Sequence, residues 1–359
     1  MRYRLVALCL VLCIICPLLL ACSDEGYPQK ESTKEELTAV LSLGETEVPF
    51  EIFRMFFLNH KKAIEEEVEG GFSGENANEA WETIMPLVLH DLSQMYAVFA
   101  LCTTYGIDPY SDSIEEDIAE EICISIEGGA YGDYAFEGYG SYDKYLAAMK
   151  ENGMNDGASR TVLRFHLCED ALLRKLTVPM KSAYEYAASD VERFFEKDEC
   201  IRVSLLYREM AAGGIPAEEN KEAVLHAIEL LREETDDRQR LNLAVQYFTN
   251  SPDDIIAGDY ITPYAFSFEY KEIIERAYAL KVGEYSDLVE ITAPAQDYYF
   301  VVNRLEKNSE DLVSRYDEIV SLYLTDRFYR ELDTLRQSIL SQVTYHDFYE
   351  TLYGTDIVY

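Results

Sequence analysis

The sequence predicts a mostly helical α+β protein, and three observations support this class. Long segments carry apolar residues at intervals of three and four, which is the period of an amphipathic helix. Residues 200–306 instead follow the order strand, helix, helix, strand, helix, strand, strand, with β-branched and aromatic residues in the strands. Residues 311–342 have the pattern of a long helix with one apolar face. We therefore expect a helical domain, a smaller domain that contains a sheet, and a long C-terminal helix.

The composition excludes some partners. The chain has 359 residues, of which 48% are hydrophobic, which suits about two domains with packed cores. It carries 67 acidic against 31 basic residues, a formal net charge of −36. Binding to the phosphate backbone requires clustered Lys and Arg, so we expect no nucleic acid partner. An acidic surface attracts cationic or unfolded chains, although a merely solvated surface is the simpler interpretation.

The N-terminus has the pattern of an export signal. A short basic start precedes an apolar run over residues 5–20, which is shorter than the ~20 residues that a spanning helix needs. The run ends in Ala21-Cys22, and polar residues follow. This arrangement resembles the lipobox of bacterial lipoproteins, which implies a signal peptide over residues 1–21, a lipid on Cys22 and a tether over residues 22–36. An ordinary signal peptide or an anchor helix with an incidental cysteine is the alternative.

The four cysteines that follow Cys22 in the chain do not form a metal-binding pattern. They are widely spaced without a CxxC motif, and the five histidines are scattered, whereas a zinc site needs clustered ligands. We therefore expect no metal and no cofactor. Three of these cysteines lie in helical apolar patterns, which indicates core positions, and their disulfide pairing cannot be read from spacing. The four are Cys102, Cys123, Cys168 and Cys200.

The segment of residues 37–198 begins with a hairpin and a helix. Gly44 marks the turn of the hairpin, and Pro49 opens the helix, since proline suits the first helical position. A second, long helix is expected from Trp81 to Tyr105, and Gly106 after it is the signal that ends it.

The second half of this segment contains shorter elements. Ser113 and Glu116 have the spacing of an N-terminal capping box, so the next helix is expected to start there. Residues 128–140 are rich in Gly and Tyr and predict a mobile loop. Further helices are expected over residues 142–152, over residues 158–176 and from Ser189.

Three short runs in this segment follow one another in a recognisable order. They are Leu43-Gly44-Glu45 leading into Val48-Pro49-Phe50-Glu51, then Tyr105-Gly106-Ile107-Asp108 before an acidic helix, and finally residues 160–173. Together they resemble the chaperone domain of SurA/PrsA-type proteins. The resemblance implies that C-terminal sequence folds back, so that residues 37–198 and 307–359 form one discontinuous domain. A dimerising coiled coil is the alternative for the C-terminal helix, but sustained heptads are lacking.

The run Ala277-Tyr278-Ala279-Leu280-Lys281-Val282-Gly283-Glu284-Tyr285-Ser286 lies within the mixed segment. This run and the order of strands and helices look like a parvulin-type peptidyl-prolyl isomerase domain, expected over residues 199–306. The whole mature chain thus resembles an extracytoplasmic foldase of the PrsA/SurA type. That resemblance implies unfolded or partly folded secreted proteins as partners.

Parvulins, as the resemblance implies, hold the substrate proline in a shallow groove with two His, a Cys or Asp, and a Met/Phe pair. The two His fall on Leu205 and Phe300. The Cys or Asp falls near Ser251, the Met near Phe268 and the Phe on Ile273, so none of these groups is retained. The side chains of Leu205 and Phe300 cannot donate or accept a hydrogen bond. We therefore expect a parvulin-like domain that binds without isomerising. The alternative is that these residues are buried core and line no groove.

The sequence therefore predicts a chaperone or foldase that is lipid-anchored to the outer side of the bacterial cell membrane through Cys22 and binds unfolded secreted proteins. Two alternatives remain open. One is an active prolyl isomerase with a rearranged site, and the other is a ligand-binding or structural surface lipoprotein.

Overall fold

A computed structural model describes residues 27, 29–73, 75–131, 134–211, 215–264, 271–292, 297–352, 354 and 357. Cys22 and Phe268 lie outside these residues. The helices are α1 (Phe50–Glu67), α2 (Ala77–Thr104), α3 (Asp112–Glu127), α4 (Tyr142–Glu151), α5 (Asp156–Leu176), α6 (Ala188–Glu196), α7 (Ala217–Glu233), α8 (Asp237–Tyr247), α9 (Pro252–Ala257), α10 (Lys271–Ala279), α11 (Asp311–Ser314) and α12 (Tyr316–Leu340). The strands are β1 (Ala39–Leu43), β2 (Thr46–Pro49), β3 (Gly128–Tyr131), β4 (Tyr134–Glu137), β5 (Ile201–Glu209), β6 (Asp259–Ile261), β7 (Val289–Ile291), β8 (Tyr298–Leu305) and β9 (Val343–Tyr345).

These elements confirm the α+β class and divide into two compact units. The helical unit contains residues 27–175 and 330–357, and the sheet unit contains residues 176–329. The contacts therefore assign residues 176–198 and 307–329 to the sheet unit. The domain boundaries expected at residues 199 and 306 stay a prediction, because compactness alone does not define a domain of a given family.

The helical unit is built around α2, whose periodic apolar face was predicted. Ile84, Val88 and Leu92 are fully buried. By length and composition α2 could cross a membrane, and it is the one helix among the described residues of which this is true. Its buried face instead identifies it as a core helix. Gly106 follows its end with φ +68°, a left-handed conformation that favours glycine.

C-terminal sequence folds back within the helical unit, as expected. β9 pairs antiparallel with β1, and β1 pairs with β2, which gives a three-stranded sheet of order β2-β1-β9. The indole nitrogen of Trp81 donates a hydrogen bond of 2.6 Å to the hydroxyl of Tyr349. Residues from both ends of the described chain therefore share one core.

Three local predictions were wrong. α3 is capped by Ser111, whose Oγ accepts from the backbone N–H of Ile114, whereas Ser113 lies within the helix. Ser111 has the extended backbone that a capping residue needs. The loop expected over residues 128–140 is the hairpin of β3 and β4. The C-terminal helix is broken at Arg315, whose φ of −121° leaves the helical region. α12 therefore has 25 residues and spans roughly 38 Å at ~1.5 Å per residue.

The sheet unit contains four antiparallel strands in the order β6-β5-β8-β7. The elements from β5 to β8 follow the predicted order, with the short helix α9 in addition. Side chains alternate between the faces of a strand, so the sheet has two apolar faces. Val203 and Val302 lie on the face covered by α10. Leu206 and Val301 lie on the face covered by α7, α8 and α9.

Candidate functional site

Three of the predicted site residues meet on the α10 face of the sheet. Leu205 on β5, Ile273 on α10 and Phe300 on β8 belong to one apolar cluster. Their exposed fractions are 9%, 1% and 3%. The structure therefore brings these three positions together and buries them, and a groove-lining role for them stays a prediction.

Ser251 has a different place. It is exposed and caps α9, since its Oγ accepts from the backbone N–H of Asp254 at 3.2 Å and donates to Oδ2 of Asp254 at 2.6 Å. Ser251 is not among the residues of the apolar cluster. Its geometry is that of a helix cap, a role that stabilises α9 without requiring a ligand.

Asn250 is the residue that connects this helix start to β5, and the sequence reasoning missed it. Its Nδ2 donates to the carbonyl of Leu205 at 2.8 Å, and its Oδ1 accepts from the backbone N–H of Tyr207 at 2.9 Å. β6 pairs with β5 only as far as Val203. The amide of Asn250 thus replaces a strand neighbour where β6 has ended. An Asn directly before Ser-Pro at a helix start is the signal that could have indicated it.

An aromatic cluster of Tyr207, Tyr298 and Phe300 lies beside these positions, where β5 and β8 pair. The ring centroids are 5.9 Å apart for Tyr207 and Tyr298, 6.2 Å for Tyr207 and Phe300, and 5.9 Å for Tyr298 and Phe300. Phe300 is buried, whereas the two tyrosines are half-buried. Half-buried aromatic rings offer apolar area that a bound side chain can cover.

Among the residues that the structure describes, neither tyrosine hydroxyl has a hydrogen-bond partner. Burial raises the pKa of Tyr298, and the negative charge of Glu209 and the neighbouring Tyr207 raise it further. Tyr298 is therefore a neutral phenol at physiological pH, which can donate to a peptide carbonyl.

A small cavity adjoins this end of β5. Its volume is about 290 Å³, close to the lower limit of ~300 Å³ for ligand pockets, so a side chain rather than a large cofactor fits it. Arg208 at its wall is fixed by bonds from Nε to Asn220 at 2.9 Å and from Nη1 to the carbonyl of Tyr247 at 2.8 Å. The cavity is lined by Arg208, Glu209, Ile215, Gln246, Tyr247, Phe248 and Thr249.

The chemistry of the site follows from its side chains. The cluster supplies aromatic rings and phenol hydroxyls, and neither Leu205 nor Phe300 adds a group that transfers a proton. Across the described part of the chain, no three His, Cys, Asp or Glu side chains are grouped to hold a metal ion. The arrangement offers ring faces for stacking and phenol hydroxyls for hydrogen bonding.

Comparisons with known proteins give distant structural similarity. No family model matches the chain, and no curated protein matches it. The foldase protein PrsA from Streptococcus pneumoniae is 14% identical, with 71% of this chain and 82% of that chain covered and a TM-score of 0.23. The foldase protein PrsA from Lactococcus lactis is 11% identical, with 90% and 100% covered and a TM-score of 0.26. The peptidylprolyl isomerase PrsA from Bacillus anthracis is 17% identical, with 70% and 96% covered and a TM-score of 0.27. At these identities and TM-scores the similarity assigns neither a family nor a function to this chain.

Proposed function

We propose that this protein is a chaperone that binds unfolded secreted proteins and does not isomerise prolyl bonds. One observation carries the proposal: the buried, apolar Leu205 and Phe300 stand where the resemblance implies histidines, while the half-buried pair of Tyr207 and Tyr298 packs beside them. Rotation about a peptide bond has a barrier of ~18–20 kcal/mol, and lowering it needs groups that favour the twisted amide. The cluster offers rings that stack on proline or aromatic side chains instead.

The location and domain organisation are part of the same proposal. A lipid on Cys22 anchors the chain outside the cytoplasm, as the lipobox-like start suggests. Residues 37–198 with 307–359 act as the chaperone domain, and residues 199–306 as an inserted binding domain. The net charge of −36 favours clients that carry positive charge.

Peptide binding tests the aromatic site directly. A basic peptide with one central Pro is titrated by calorimetry against the full mature chain, beside the same peptide with Ala at that position. We expect the Pro peptide to bind more tightly, and Tyr298→Ala to weaken its binding by roughly tenfold, the equivalent of ~1.4 kcal/mol. Tyr316→Ala is the matched control, because Tyr316 is a half-buried tyrosine of the same unit outside the cluster. Equal binding by both variants would contradict the proposed site.

Two activity assays separate the alternatives. Suppression of aggregation of a reduced client at a stoichiometric ratio is expected for the chaperone. Catalytic turnover of a proline tetrapeptide in a protease-coupled assay would instead establish the isomerase and remove the binding-only interpretation. Failure of both assays would favour a ligand-binding or structural surface lipoprotein.

A further inference from the structure

Two buried thiols meet between α2 and α5 of the helical unit. Cys102 and Cys168, 66 residues apart, are both fully buried and both free. The Sγ of Cys102 lies 3.6 Å from the carbonyl oxygen of Cys168 and donates to it. The two cysteine side chains also interact with each other. Because the sulfur of Cys102 contacts the main chain of Cys168, we infer that the two sulfurs can reach each other after local movement.

A positive charge with an unused donor lies one helical turn before Cys168. Arg164 is 9% exposed, and its Nη2 donates to Glu115 at 2.5 Å. Its buried Nε–H has no acceptor among the residues that the structure describes. A buried donor without a partner is uncommon and costs stability, so it calls for an explanation. An anionic sulfur on the neighbouring turn would give this N–H an acceptor.

The electrostatics distinguish the two thiols. The hydrogen bond from Cys102 lowers the pKa of Cys168, and Arg164 lowers it further, against the opposing effects of burial and Asp108. Donating that bond, together with burial, raises the pKa of Cys102. Cys168 is thus the thiol that ionises first, and the thiolate is the reactive form of cysteine.

We propose that Cys168 and Cys102 form a redox-active dithiol, in which Cys168 attacks and Cys102 resolves, giving a reversible disulfide that joins α5 to α2. The oxidant is a small-molecule disulfide, RSSR. The Cys168 thiolate attacks one of its sulfurs, forming a mixed disulfide and releasing RS⁻. Cys102 then loses its proton and attacks Sγ of Cys168, which releases the second RS⁻. The protein pair loses two electrons and two protons, and the products are the disulfide and two RSH.

Burial governs when this reaction occurs. Since both sulfurs are inaccessible in the folded chain, RSSR reaches Cys168 only during folding or after local opening of the helical unit. The disulfide constrains the unfolded chain between residues 102 and 168, so the oxidised protein should melt several degrees higher than the reduced protein. The proposal depends on the geometry of the helical unit alone and is independent of the proposed function.

Cys200 provides a control within the chain. It is also free and fully buried, and burial raises its pKa to about 12. The structure gives it no contact with another described cysteine. Cys200 should therefore stay a thiol under conditions that oxidise the pair.

The experiment uses the full mature chain. It is refolded with oxidised glutathione, quenched in acid, alkylated in denaturant, digested and mapped by mass spectrometry. We expect a cross-linked peptide pair that contains Cys102 and Cys168, alkylated Cys200, and recovery of the Cys102 and Cys168 thiols after dithiothreitol. Alkylation of Cys102 and Cys168 to the same extent as Cys200, or a cross-link of either one to any other cysteine instead, would overturn the proposal.

Two variants test the assigned roles. In Cys102→Ser, the resolving thiol is absent, so Cys168 should accumulate as the mixed disulfide with glutathione. Arg164→Met should slow formation of the disulfide several-fold, whereas Arg174→Met, an exposed arginine on the same helix, should leave the rate unchanged. Equal rates in both arginine variants would remove the role of Arg164. Peptide mapping of the unsubstituted chain shows whether the disulfide between Cys102 and Cys168 forms, even if a variant fails to fold.

Discussion

The ammonium of Lys61 donates a hydrogen bond of 2.7 Å to the main-chain carbonyl of Ile357, 296 residues later in the chain. It also donates to the carbonyl of Gly354 at 2.9 Å, and it is only 8% exposed. A buried lysine needs such partners, because an unpaired charge is strongly disfavoured away from water. Lys61 therefore ties Gly354 and Ile357 to α1.

Replacing this lysine should destabilise the helical unit. Lys61→Met keeps much of the aliphatic stem but leaves two buried carbonyls without a donor, at a cost of about 1–3 kcal/mol for such a group. Urea unfolding followed by circular dichroism measures the loss. Lys62→Met is the control, since its side chain is exposed on the same helix. Equal midpoints for the two variants would show that the bonds to Gly354 and Ile357 contribute nothing.

Removing the side-chain bridge of Asn250 should loosen the sheet unit. Asn250→Ala removes both hydrogen bonds to β5 and leaves the carbonyl of Leu205 and the N–H of Tyr207 unpaired. We expect a loss of about 1–3 kcal/mol in the free energy of unfolding. Hydrogen exchange at the N–H of Tyr207 should accelerate as well. Asn242→Ala, which changes an exposed asparagine of α8, should change neither quantity.

Alanine substitutions at two glycines should distinguish the cost of a steric clash from the cost of a strained backbone. Gly258 and Gly283 both have positive φ, +55° and +86°. A Cβ at Gly258 would lie 2.7 Å from the carbonyl oxygen of Val203, whereas one at Gly283 would have nothing within 4 Å. Gly283→Ala should cost roughly 1–2 kcal/mol from the left-handed conformation alone. Gly258→Ala should cost clearly more in the same urea titration, and an equal loss would mean that Val203 can move aside.

The stability of the protein should depend on the ionisation of Glu169. Burial, and secondarily the negative charge of Asp170, raise the pKa of Glu169 to about 7 from 4.5. The folded state thus holds this proton at pH values where the unfolded state has released it. The contribution of Glu169 to stability is therefore present below pH 4.5 and is lost as the pH rises to 7.

Glu169→Gln should remove this dependence. Urea unfolding between pH 4 and 8 should show the variant gaining stability relative to the unsubstituted protein as the pH rises, because the uncharged amide has no proton to lose. The difference between the two proteins isolates Glu169 from all other titrating groups. Glu151→Gln, at an exposed position, should give a flat difference. A flat difference for Glu169→Gln would contradict its raised pKa.

The fold could be predicted where one signal dominates. The apolar period of α2 follows directly from a helix with one buried face, and Ile84, Val88 and Leu92 are indeed buried. The order of strands and helices in the sheet unit was predictable because β-branched and aromatic residues mark its strands. α9 was missed because six residues are too few for a period to show. The break at Arg315 was missed because the apolar period continues across it from Leu312 to Tyr316.

Part of the candidate site could also be predicted from the sequence, and part could not. That Leu205, Ile273 and Phe300 approach one another could be predicted from the resemblance alone. Their burial could not, because the exposure of each depends on what packs over it in three dimensions. Tyr207 and Tyr298 could have been recognised as half-buried candidates only with the strand register, which pairs Tyr207 with Phe300 and Glu209 with Tyr298.

The pairing of β9 with β1 determines the order in which the protein can acquire its structure during synthesis. Tyr345 pairs with Leu41, so this sheet and the core around it cannot be completed until the C-terminal residues have left the ribosome. The sheet unit, in contrast, is continuous in sequence from residue 176 to 329 and can close earlier. Contacts between residues so distant in sequence form slowly because closing long loops is entropically unfavourable. We therefore expect the apolar faces of the helical unit to stay incompletely covered until synthesis ends, a condition that favours aggregation of incompletely folded chains.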